Sequence, residues 1–156
     1  VGVLVQDAAF MVQVPHFCPD TAPLKANPLF LYGSDNFQKP YRFRADVVVS
    51  IDDVIETKLD AIHELESQVY EGGALGSEEQ FRLVPKGAAE RKKWLREHHF
   101  WGRRDAATAD KYRTELAAWY GAEKGKQVKH AEAFEICEYG RQPTAAQLKK
   151  LFPFFE

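Results

Sequence analysis

The stretch ADVVVSIDDVIETKLDAIHELESQVY, residues 45–70, changes period in its middle. Val47, Val48 and Val49 form the short continuous apolar run of a strand buried on both faces. From Asp53 onward, Ile55, Leu59, Ile62, Leu65 and Val69 recur every three or four residues, as one stripe of an amphipathic helix does. The stretch therefore predicts a buried strand that passes through Asp52-Asp53 into a helix over 53–70. That helix carries a polar Ser67-Gln68 near its end and is closed by Gly72-Gly73.

Working outward, VGVLVQDAAFMV (1–12) already runs at helical spacing, with Leu4, Val5, Ala8, Met11 and Val12 on one face. No capping Ser, Thr, Asp or Asn precedes it, so the expectation is a helix entered partway along, in a chain whose upstream part is missing. Pro15, Pro19, Pro23 and Pro28 exclude helix from the next stretch and predict an irregular loop. LFLYGS (29–34) reads as a strand, followed by a Pro-containing connector.

Beyond residue 70, a helix over 88–101 places Trp94, Leu95, His98 and Trp101 on one side. A second, over 108–120, carries Ala109, Tyr112, Leu116, Trp119 and Tyr120 and ends at Gly121. KHAEAFEICEYG reads as a strand up to Gly140, and Thr144 with Gln147 forms the capping box of a last helix. Short apolar strands alternating with helices predict the α/β class, with a mostly parallel sheet covered by helices.

The composition bounds the function. With 156 residues, 45% of them hydrophobic, the chain can bury one core. Twenty-one basic and 23 acidic residues leave a net charge of −2, which offers no global attraction to nucleic acid or an anionic membrane. Two distant cysteines, Cys18 and Cys137, suit a reducing compartment better than a disulfide framework. No apolar run reaches the roughly 20 residues that span a bilayer. The expectation is a cytoplasmic globular protein with no nucleic-acid or membrane partner.

Candidate residues divide by their surroundings. Asp52 and Asp53, where the strand gives way to the helix, could serve a metal or acid–base chemistry; the commoner role there is to cap the helix, and that is the reading adopted. Ser67 and Gln68 flank the buried stripe, where an amide can reach a substrate or satisfy a backbone carbonyl, and both readings stand. Alternation along KHAEAFEICE puts Glu132 on one face with Phe134 and Ile136. If that face is buried, Glu132 needs a charged or donor partner; a strand end near solvent is the simpler alternative. His98 and His99 diverge around their helix by about 100°, which disfavours chelation, and a solvated helix with Trp94 in the core is preferred. There is no Gly-rich phosphate loop and no metal-binding H-E-x-x-H or C-x-x-C spacing.

Taken together, VGVLVQDAAFMV, RADVVVSIDDVIETKLDAIHELESQ and KHAEAFEICEYGRQP resemble the C-terminal part of the PIG-L/LmbE-type zinc-dependent de-N-acetylases. The resemblance is strongest in the strand–helix unit ending in Ser67-Gln68 and in Ala131-Glu132-Ala133-Phe134. It implies a partial Rossmann-like three-layer α/β/α fold. Residues 1–156 would be the C-terminal portion of one deacetylase domain, with a helical insert at about 74–127 that adapts the substrate site or an oligomer contact. The implied activity is hydrolysis of an N-acetyl group on an amino sugar or similar small molecule.

The resemblance also implies that Zn is held, and water activated, by A-H-P-D-D and H-x-D-H motifs. Neither occurs here, so the ligands are expected upstream of Val1 and the chain itself is expected to hold no catalytic or metal-ligating residue. Ser67, Gln68 and Glu132 would stand on the substrate side. Many relatives carry His two residues before the Ser, where this chain has Leu65; His63 lies two places earlier, and the role is not transferred to it. The competing class is a non-catalytic binding or interaction module that uses the aromatic helices 88–120, which exposed Trp94, Trp101 and Trp119 would favour. A Rossmann-like nucleotide-binding domain is the weaker alternative, because the Gly-rich turn is absent.

Overall fold

The computed structural model describes residues 1–72 and 77–155. The Val47–Val49 run does form a strand, one of three: β1 (Leu29–Gly33), β2 (Val47–Ser50) and β3 (Ala131–Gly140). They pair in the order β1-β3-β2. β1 runs antiparallel to β3, with Leu31 opposite Ile136 and Gly33 opposite Phe134. On the other edge of β3, the Asp46 amide donates to the Phe134 carbonyl and the Ile51 amide to the His130 carbonyl. One chain ascends while the other descends, so this pairing is antiparallel too.

The mostly parallel, Rossmann-like three-layer sheet is therefore corrected to a small antiparallel sheet among many helices. The physical reason lies in the helices. A parallel sheet needs each helix to act as a crossover lying on the sheet. Here the helices after β2 pack on one another, and the chain then returns beside the strand it left. The ten-residue β3 shows the matching burial: Ala131, Ala133 and Cys137 are buried, while Glu132, Phe134 and Ile136 are only half-buried. One face packs and the other is open, as antiparallel strands allow.

By contact density the chain forms two compact units, Val1–Val48 with Ala133–Glu156, and Val49–Glu132. In the first, α1 (Gly2–Met11) follows Val1 without any side-chain cap. Its apolar stripe is not the buried one: Ala9 is buried, whereas Leu4 is 71% exposed. Val47 and Val48 are fully buried. The last helix of this unit, introduced by Thr144, has the capping box its sequence predicts: Thr144 accepts from the Gln147 amide, and the Gln147 side chain accepts from the Thr144 amide.

The second unit is helical. The helix expected over 53–70 is two, α2 (Ile55–His63) and α3 (Glu66–Val69), because Leu65 leaves helical geometry at ψ 57° and is 48% exposed. The break turns Val69 and Tyr70 inward, where they join Ile51, Ile55, Leu59 and Leu95 in one core. α3 ends before Gly72; Gly73, the other half of the expected stop, lies outside the described residues.

After the short α4 (Glu78–Arg82), the helix expected over 88–101 is divided by His99, which is extended at φ −77°, ψ 144°. α5 (Ala88–His98) ends there and α6 (Phe100–Lys111) begins. The two pack so closely at Gly102 that a Cβ on it would fall 2.0 Å from the Leu95 carbonyl oxygen. Only glycine fits such an approach. Tyr112 breaks the path again before α7 (Arg113–Tyr120), and Gly121, at φ 84°, separates α7 from α8 (Ala122–Gln127). The expected stripe of Ala109, Tyr112 and Leu116 is buried across that break.

Candidate functional site

In the helical unit, polar groups converge where β2 leads into α2 and where the chain returns to β3. Asp52 does not cap α2; Val54 holds the cap position, with no side-chain bond. Asp52 instead reaches residues far along the chain. Its carboxylate accepts the Lys129 amide at 2.9 Å and the His130 amide at 2.8 Å, and lies 2.9 Å from His130 Nδ1. Burial opposes its ionisation, but those hydrogen bonds outweigh it and hold the Asp52 carboxyl below the usual carboxylate range. With Nδ1 directed at the carboxylate, His130 keeps Nε2 for other partners. Beside this pair, the Ser50 amide donates to the Tyr120 hydroxyl at 2.9 Å.

Three charged side chains, from α2, α6 and β3, also meet in this unit. Lys58 Nζ, on α2, is 2.5 Å from Glu132 Oε1 and 2.7 Å from Asp105 Oδ2 on α6. Asp105 is almost wholly buried, at 2% exposure, whereas the Glu132 side chain is 38% exposed. The conditional reading of Glu132 resolves accordingly: it is half-buried and has a charged partner, one it shares with a more deeply buried carboxylate. Sequence reasoning missed Asp105, although the signal was there. Asp105, Ala109, Tyr112 and Leu116 share one stripe, so the acid stands where an apolar residue belongs.

Ser67 and Gln68 are exposed on α3. Among the described residues no hydrogen bond or ion pair joins either of them to Glu132, whose partner is Lys58.

The histidines of this unit have neighbours of other kinds. His63 Nδ1 meets the Tyr70 hydroxyl at 2.7 Å, and Arg91 lies over the Tyr70 ring at 5.2 Å. His98 stacks on Trp94, and His99 packs on Trp94 and Trp101. Burial keeps the His99 imidazole below its ordinary pKa. Among the described residues no group of three His, Cys, Asp or Glu side chains is arranged to hold a metal ion. The described side chains do not fit a zinc centre. No helix among these residues is long and apolar enough to cross a membrane.

The other unit contains a cavity of about 500 Å³ between α1, β1 and the connector that follows β1. Tyr32 on its wall is the hub of a polar network. Its hydroxyl accepts from Gln6 Nε2 at 2.6 Å and from the Cys137 thiol at 3.1 Å, and donates to Glu138 at 3.1 Å. Burial, reinforced by the Cys137 hydrogen bond, raises the phenol above its ordinary pKa and keeps it protonated. Nothing in the hydrophobic pattern foretold this cavity, because the connector residues that complete its wall, from Asp35 to Phe43, carry no periodicity.

Comparison with protein-family models, with curated proteins and with solved structures finds no match to this chain.

Proposed function

We propose that this chain is the substrate-side part of a zinc-dependent hydrolase that removes an N-acetyl group from an amino sugar or a similar small molecule, with its metal ligands outside the described residues. The observation that carries the reading is the joining of two of the three segments that resemble the de-N-acetylases. RADVVVSIDDVIETKLDAIHELESQ and KHAEAFEICEYGRQP lie far apart in sequence, yet Asp52 grips Lys129 and His130, and Lys58 pairs with Glu132. The support rests on those clasps and not on the sheet, whose antiparallel order differs from the scaffold the resemblance implies.

Gln68, exposed on α3, is the substrate contact in this reading, and Glu132 a positioning residue. In the full-length protein loaded with zinc, Gln68→Ala lowers kcat/KM for acetate release from an N-acetylated amino sugar about tenfold, a loss of about 1.4 kcal/mol in transition-state binding, and leaves Tm unchanged. Absence of acetate release from the wild-type full-length protein overturns the proposal, and a Tm loss with normal kinetics makes Gln68 structural. The interaction-module reading calls for exposed indoles. Trp94 and Trp101 instead pack against the core and Trp119 is half-buried, so no observation favours it.

A further inference from the structure

The cavity of the sheet-containing unit has a lining that selects a class of ligand. Its volume, about 500 Å³, lies within the range of small-molecule pockets. Its walls are aromatic: Phe30 and Tyr32 come from β1, and Phe37, Tyr41 and Phe43 from the connector. Two carboxylates, Asp35 and Glu135, stand among them against one ammonium, Lys39, so the charge of the lining is net negative. Each carboxylate has one oxygen on a backbone amide: Asp35 accepts from Phe37 at 2.9 Å and Glu135 from Arg44 at 3.1 Å. The second oxygen of each lies outside that bond.

Part of the wall is braced before any ligand arrives. Glu138 accepts from the Tyr32 hydroxyl with one oxygen and from the Tyr41 hydroxyl, at 3.3 Å, with the other. Two of the five rings are thus fixed to one carboxylate, which reduces the ordering that binding would require.

Aromatic rings attract cations through their faces, and carboxylates add charge attraction. An anion would meet a net negative lining. A neutral apolar guest would bury carboxylate oxygens without compensation. We infer that this cavity is a binding site for a small organic ammonium ion, of about the size of a benzyl- or alkyl-substituted ammonium. The inference is independent of the hydrolase reading, since it requires neither zinc nor an acetylated substrate.

The test is calorimetric titration of the chain with three probes of one shape: benzyltrimethylammonium, benzyl alcohol and benzoate. The ammonium binds at least about tenfold more tightly than the alcohol, and benzoate gives no saturable heat. A variant carrying Asp35→Asn and Glu135→Gln, both of which keep an acceptor for their backbone amides, weakens the ammonium about tenfold and removes its preference over the alcohol. Phe37→Leu, at a ring 74% exposed and therefore without consequence for folding, also weakens the ammonium. Equal binding of ammonium and alcohol, no saturation by the ammonium at millimolar concentration, or unchanged affinity in the Phe37→Leu variant overturns the inference.

Discussion

A single lysine separates two carboxylates with very different claims on it. Asp105 has 3% of its side chain exposed and Glu132 has 38%, yet Lys58 contacts both. Removing the cation leaves Asp105 buried without its counter-ion, the situation in which breaking an ion pair is most damaging. Lys58→Met should therefore cost on the order of 3–5 kcal/mol. Glu132→Gln leaves the Lys58–Asp105 pair intact and concerns a solvated group, so it should cost about 1 kcal/mol or less. Urea unfolding of the two variants measures the difference, and equal costs would mean that Asp105 has another source of stabilisation. At this scale the sequence can be read in part: alternation gives Glu132 a partner only on the condition that its face is buried, and the partner's identity depends on how α2, α6 and β3 meet, which no local pattern encodes.

The helices carry a pH response of their own. His99 caps α6 through a ring nitrogen that accepts the Trp101 amide at 3.3 Å, and burial lowers its pKa below the ordinary value. A proton on that nitrogen would turn the acceptor into a donor and release the cap. The unfolded chain takes up this proton as pH falls through about 6.5, whereas the folded chain takes it up only at lower pH. Stability from this group is thus complete above that value and lost as the pH descends through the window below it. His99→Asn keeps a good capping side chain and removes the titration. Its Tm should fall less than that of the wild type between about pH 7.5 and about pH 5.5. Helical periodicity placed Leu95, Ala109 and Leu116 in the core correctly, but it ran straight through the breaks at Leu65, His99 and Tyr112. A stripe continues across a break when both helices face the same core, so the pattern gives burial without giving ends.

Over the whole molecule, apolar exposure is uneven. Val3 and Phe10, seven positions apart on one side of α1, are each 70% exposed. Exposed apolar surface of this kind favours association between copies. Sedimentation should show a concentration-dependent increase in mass, which the variant carrying Val3→Lys and Phe10→Lys abolishes with a stability change within about 0.5 kcal/mol. Strand positions could be read from local apolar runs; strand direction could not, since it follows from the route the chain takes between them. That route has a last consequence. Between β2 and β3 the chain makes a long excursion whose two ends, Asp52 and Lys129, lie 77 positions apart and touch. Residues 52–129 thus form one long loop closed at its base. Closing so long a loop rather than a four-residue one costs roughly 2–3 kcal/mol, because closure entropy grows only with the logarithm of length. A loop closed this way tolerates exchange for a shorter one, and its neighbouring ends suit residues 52–129 to transplantation into other turns or to circular permutation.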